Sequence, residues 1–187
     1  MNSQELCKVW DLPLRIFHWL LVIGFLICYV TEDELLAVHV WSGYGVFGLL
    51  CFRLLWGFLG SKYARFSSFL CKPTTAIRYL QDLRHKTATR YLGHNPAGAM
   101  MIVFLLISLL ITTLTGVAVY GADQNAGPLA GIGSANEALW EDLHELFANF
   151  TVALVIFHII GVIVESYLHG ENLVKSMWSG YKKPSDQ

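Results

Sequence analysis

Four of the seven histidines in this 187-residue chain, His18, His39, His144 and His158, lie in or at the ends of apolar stretches. A histidine at membrane depth is costly to bury, and its ring nitrogen can ligate a metal. His144 and His158 are 14 residues apart in Leu139 to Tyr167, LWEDLHELFANFTVALVIFHIIGVIVESY, a run long enough to cross a bilayer. On a helix that separation is roughly 21 Å, against a hydrocarbon core of about 30 Å, so the rings stand near opposite faces of it. Two heptads drift by only about 40° from a straight helix's period, so both rings point to nearly the same side. One helix thus offers an imidazole to each of two sites at different depths. A lone histidine in a span can simply hydrogen-bond a neighbouring helix, but that reading explains a pair with this spacing and shared face poorly.

The second ligand of each site must come from other apolar runs, and the chain has three more: Leu14 to Val30, Val38 to Leu59 and Ala99 to Tyr120. They account for 55% hydrophobic residues, 14% charged residues and a mean hydropathy of +0.48, values unlike a soluble domain's. The expected organisation is a single membrane domain over 1–187, with spans at about 14–31, 38–59, 98–120 and 139–167. A cytoplasmic loop would run over 60–97 and a periplasmic loop over 121–138. No small-x-small cleavage pattern follows the first run, so it reads as a retained span rather than a signal peptide.

The cations set the orientation. Of the 13 Lys and Arg, Lys8 and Arg15 precede or open the first span, eight lie between Arg53 and Arg90, and Lys175, Lys182 and Lys183 follow the fourth span. By the positive-inside rule both termini and the middle loop are cytoplasmic. The expected location is a bacterial inner membrane, crossed several times. The outer connections carry Glu32, Asp33, Glu34, Asp123, Glu137, Glu141 and Asp142 with no basic partner. Within the inner loop, TTAIRYLQDLRHK reads as a short amphipathic helix whose basic side suits lipid adhesion rather than nucleic acid. The Gly- and Ala-rich outer loop reads as irregular, a lid over the outer site.

With that topology the histidines sort by depth. His18 and His158 lie near the inner face, on spans one and four; His39 and His144 lie near the outer face, on spans two and four. Each pair brings two imidazoles from different helices to one level, and a four-helix bundle can hold a flat cofactor between such ligands. Bis-imidazole ligation saturates a haem iron and favours electron transfer over oxygen binding. Zinc would want three or four compact ligands, and a proton relay would want acids between the histidines; neither is present. The HExx at His144 lacks a second ligand at Ala148, so it is no zinc-protease motif. With no CxxCH, a covalently attached c-type haem is not expected, and Cys7, Cys28, Cys51 and Cys71 imply no disulfide framework.

Arg15, one turn before His18, suits a haem propionate or a lipid phosphate equally. Gly43, one turn from His39, clears space for a macrocycle, whereas Gly48 reads as a packing glycine. Arg53 is a further candidate cofactor contact. Trp10 and Trp19 read as interfacial anchors. Ser108, Thr112 and Thr113 of span three can bond back to their own helix. His85, His94 and His169 read as surface residues, His169 being the substitute should the pairing differ.

The stretches WDLPLRIFHW around His18, HVWSGYG from His39, HNPAGA before span three and HELFANFTVALVIFH from His144 to His158 resemble the prokaryotic cytochrome b561 family. That family is similar to the b-type cytochrome subunits of nickel-iron hydrogenases. The likeness covers nearly the whole chain, and its most specific part is the fourth helix with two histidines. It implies an all-α, four-helix membrane bundle with two haem b in its core, ligated by the positions of His18, His39, His144 and His158. It also implies electron transfer between the quinone pool and a partner, which differs among members.

The leading expectation is an electron-transfer subunit linking quinone to a periplasmic redox protein, a c-type cytochrome or a hydrogenase-like subunit. Its acidic outer face would steer a basic partner. The alternative is an enzyme in its own right, a quinone-linked superoxide oxidase, which would want an outer positive funnel that these loops do not supply. A haem-free scaffold would leave four membrane-depth histidines unexplained.

Overall fold

A segment surrounded by lipid must satisfy every backbone N–H and C=O internally, and a helix does so with its own residues. The four apolar runs form helices α1 (Leu12–Val30), α2 (Leu36–Leu59), α4 (Pro96–Asp123) and α5 (Glu137–Leu168), each long and apolar enough to cross a membrane. The computed structural model describes residues 6–32, 35–131 and 136–184. Asp33 and Glu34 of the expected acidic outer turn lie outside the described residues, as do residues 132–135 of the outer loop. Apolar side chains such as Leu20, Ile23 and Leu26 on α1, and Ile156, Ile160 and Ile163 on α5, are exposed. This is the arrangement expected of helices whose solvent is lipid.

The helix starts follow from short polar side chains. Asp11 accepts a hydrogen bond from the Leu14 N–H at 2.8 Å, capping α1, with Pro13 in the first turn where a missing N–H costs nothing. In HNPAGA, Asn95 Oδ1 accepts from the Gly98 N–H at 2.7 Å and Pro96 opens α4. The amphipathic segment of the inner loop is α3 (Pro73–Arg84), which buries Ala76 and Tyr79 and leaves Ile77 and Leu80 exposed.

The chain divides into two compact units. The first comprises the described residues of Met1–Ile16, Arg53–Val103 and Ile156–Gln187. In it β1 (Cys7–Lys8) pairs antiparallel with β2 (Tyr181–Lys182), and a short helix, α6 (Leu173–Ser179), precedes β2. These elements are too short to carry a periodicity in the sequence. Gly180 makes the join: at φ 90° its carbonyl accepts from the N–H groups of Val9, at 2.9 Å, and Trp10, at 3.1 Å. A Cβ there would meet the Trp10 carbonyl oxygen at 2.7 Å. Glu171 ties the unit further, accepting from Arg90 at 2.9 Å and pairing with the buried Lys182 at 3.2 Å. All 13 Lys and Arg lie within this unit's three segments.

The second unit comprises the described residues of Phe17–Phe52 and Phe104–Val155. Val46, Leu50 and Leu109 form its buried centre, with Leu21 and Phe25 of α1 and Leu106 and Leu110 of α4 packed around them. Gly24 brings α1 close to α2, since a Cβ there would stand 3.0 Å from Val46. Helices α4 and α5 are joined by the buried hydroxyls of Ser108 and Thr151, 2.7 Å apart. Thr151 spends its own proton on the Phe147 carbonyl, so Ser108 is the donor across the gap. Ser108 therefore bridges helices, while Thr112 and Thr113 bond back to their own helix. Gly48, expected at a helix contact, has no atom beyond its own helix within 4 Å of a built Cβ among the described residues; Gly24 takes that role.

Candidate functional site

His39 and His144 meet within the second unit. Their ring centres are 6.1 Å apart and the planes are inclined at 87°. Two imidazoles ligating one metal ion from opposite sides, at about 2 Å per bond, hold their ring centres about 6 Å apart. Both rings are also fixed from behind. The Nδ1–H of His39 donates to the Cys28 carbonyl at 2.9 Å, and that of His144 to the Thr112 carbonyl at 2.9 Å. With Nδ1 spent on a backbone acceptor, the lone pair of each ring is on Nε2, the tautomer that an outer-shell hydrogen bond selects for metal ligation. Thr115 Oγ1 lies 3.3 Å from His144 Nδ1.

Glycines shape the space around these rings. A Cβ on Gly116 of α4 would come within 2.8 Å of the His144 ring, so only glycine lets that ring lie against the helix. A Cβ built on Gly43 of α2, one turn from His39, meets nothing within 4 Å among the described residues. That is the room a flat macrocycle beside His39 needs. The residues therefore fit a haem held between His39 and His144. The outer loop reaches the same unit, where a Cβ on Gly127, at φ 78°, would come within 2.7 Å of the Tyr44 hydroxyl.

The first unit holds His158 on α5 and a second cluster that the sequence did not reveal. Arg53 of α2 is 2% exposed, its guanidinium lies 4.7 Å from the Phe66 ring centre, and its Nη1 has no hydrogen-bond partner among the described residues. Phe66 stands against α2 only because residue 57 is glycine, where a Cβ would lie 2.1 Å from the ring. His94 is not a surface residue. Its ring is wedged between Trp10, at 4.6 Å, and Phe69, at 4.7 Å, with a buried, unpartnered Nδ1. Burial, followed by the charges of Arg53, Lys182 and His158, pushes its pKa down to about 3, so the ring is neutral. Trp10 is likewise no interfacial anchor: it is buried, and its indole N–H donates to Ser176 Oγ at 3.4 Å. The sequence feature that marks His94 is its place directly before the Asn95 cap, a position that commonly packs inward.

The remaining candidates are placed as follows. His18 stands edge-on to Trp19, with ring centres 5.0 Å apart. Arg15 gives Nε and Nη2 to the carbonyls of Met177 and Trp178 and so holds the end of α6. His85 is exposed, but His169 is paired with Glu165 at 3.2 Å and mostly covered. Asp11 accepts from Ser61 and Trp56 as well as Leu14. Burial alone would raise its pKa, but these bonds outweigh burial and hold the carboxyl below its ordinary value.

The family model described as prokaryotic cytochrome b561 matches residues 9–180. The chain is similar to a protein of Azotobacter vinelandii named "Probable Ni/Fe-hydrogenase B-type cytochrome subunit", 24% identical, with 100% of this chain and 92% of the relative covered. A Cupriavidus necator protein of the same name is 26% identical over 99% of this chain and 90% of its own length. The "Probable Ni/Fe-hydrogenase 1 B-type cytochrome subunit" of Escherichia coli K12 is 22% identical over 93% and 89%. No solved structure matches. The family match takes in all four apolar helices, the His39–His144 pair and the inner aromatic cluster together, and the chain thus belongs to the prokaryotic cytochrome b561 family, whose b-type cytochromes hold haem and transfer electrons.

Proposed function

We propose that the chain is a di-haem electron-transfer subunit that carries electrons across the membrane between the quinone pool and a periplasmic redox partner. The observation that carries this reading is the His39–His144 pair: ring centres 6.1 Å apart, each Nδ1 bonded to a backbone carbonyl and each Nε2 left for iron. Haem supplies one-electron redox chemistry when bound; the protein's part is to fix the ligands and set their basicity. Gly43 gives the macrocycle room beside His39, and Arg53 offers a cation to a haem carboxylate. Arg15 is the weaker candidate, since it is engaged with α6. By their depth in the sequence, His18 and His158 are the ligands of the second haem.

Orientation follows from charge. The termini and the loop between α2 and α4, which carry most of the Lys and Arg, face the cytoplasm of an inner membrane, and the connections without basic residues face the periplasm. The relatives' names favour a hydrogenase-type redox subunit as partner, and the acidic connections would also steer a basic c-type cytochrome. Pyridine haemochrome spectra of the detergent-purified protein test the reading. Two b haems per chain are expected, His144→Ala removing one and His158→Ala the other. A haem-free wild type, or one haem indifferent to both substitutions, would overturn it.

A further inference from the structure

A buried cation without a counter-charge is expensive, and a buried N–H without an acceptor is rare in folded proteins. The first unit contains a buried cation without an ion-pair partner and a buried ring nitrogen without an acceptor, connected through the same aromatic rings. Arg53, 2% exposed, has no carboxylate within ion-pairing distance among the described residues, and its Nη1 has no acceptor. The Nδ1 of His94 is equally buried and unpartnered.

Neither group is free to turn toward water. They stand at two points of one aromatic ladder: Arg53 lies 4.7 Å from Phe66, Phe66 is 5.8 Å from Phe69, Phe69 is 4.7 Å from His94 and His94 is 4.6 Å from Trp10. Each end of the ladder is pinned. Phe66 is held into α2 by the bare Gly57, and Trp10 by its bond to Ser176. Rings locked by packing hold polar groups ready for a ligand rather than leaving them to find protein partners.

We infer that Arg53 and His94 form a clamp for one carboxylate of the haem ligated by His158, the guanidinium supplying the charge and the imidazole N–H the second hydrogen bond. An anion is favoured over a neutral headgroup because no carboxylate pairs directly with Arg53 among the described residues; Asp11, the anion whose charge reaches it, is committed to Leu14, Trp56 and Ser61. His94 is thus a positioning residue for the cofactor, and the inference rests on the haem reading above.

The test uses the full chain carrying His144→Ala, so that a single haem remains. Its loss to an excess of a haem-scavenging apoprotein is timed with His94 and Arg53 intact, and then for His94→Leu, His94→Gln, Arg53→Leu and the surface control His85→Gln. Outer-shell partners typically govern metal-site affinity by 10–100-fold, so Arg53→Leu and His94→Leu are expected to speed haem loss by at least about 10-fold. His94→Gln, which keeps an N–H donor and guards against a misfolded leucine variant, should restore most of the retention. Haem loss in all variants equal to the control would overturn the clamp while leaving the two-haem reading intact. Unchanged haem loss with a raised KM for quinol would also overturn it and give the pair to the quinone. A parent chain that holds no haem removes the reading itself.

Discussion

A Cβ on Gly116 would stand 2.8 Å from Cε1 of His144 and 3.2 Å from its Nδ1. Contacts that close cannot persist, so Gly116→Ala must turn the imidazole away from the Thr112 carbonyl that fixes its tautomer. Alanine is otherwise the better helix former by about 1 kcal/mol, so α4 itself should be unharmed. The variant is expected to fold, to keep one haem per chain and to lose the other; the haemochrome ratio and far-UV circular dichroism read the two effects separately. Two haems with unchanged spectra would show that His144 does not need its present orientation. The histidines at issue were legible in the sequence because depth and spacing along one helix mark them. Gly116 was not, since its meaning depends on a ring that reaches it from another helix.

At the scale of elements, the aromatic ladder depends on one close approach. Placing a methyl at residue 57 would put it 2.1 Å from Phe66. Gly57→Ala should therefore expel Phe66 from α2 and cost about 1–3 kcal/mol, as overpacking does. A lower thermal unfolding midpoint, together with a weakened near-UV signal from Trp10, would register it; an unchanged midpoint would mean that Phe66 can move at no cost. The four long helices were readable because an apolar run of some 20 residues needs no tertiary context. Their observed ends differ from the expected ones by a few residues, where Asp11 and Asn95 set the caps. The β1–β2 ribbon and α6 escaped notice for the opposite reason: two-residue strands and a seven-residue helix carry too little periodicity to announce themselves. Trp10 and His94 look peripheral in the sequence because residues they pack or bond against, Ser176 and Phe69, are distant along the chain.

Across the whole molecule, charge and structure divide alike, with every Lys and Arg in the segments of one unit. Within that unit Glu171 has the central place. Burial alone would raise its pKa, but the bond from Arg90 and the charge of Lys182 outweigh this and hold the carboxyl below its ordinary 4.5. A folded-state pKa below the unfolded one gives stability that is fully present above pH 4.5 and is lost as the pH falls through the folded value. Stability of this unit, followed by thermal unfolding in detergent, is therefore expected to fall with acidification below that point. Glu171→Gln should remove this contribution to the acid dependence and, at neutral pH, cost about 3 kcal/mol by leaving the ammonium of Lys182 buried without its anion. A variant as stable as the wild type at neutral pH would contradict this account.

The β1–β2 ribbon also sets a clock on biogenesis. Cys7 and Lys8 precede all four apolar helices in the chain, yet their partners, Lys182 and Tyr181, come after the fourth has been made. The segments of the unit holding His39 and His144 end at Val155. The unit holding Arg53, His94 and His158 closes only when the last strand arrives. Folding is thus ordered in time by chain connectivity: the last segment of the second unit is synthesised before that of the first.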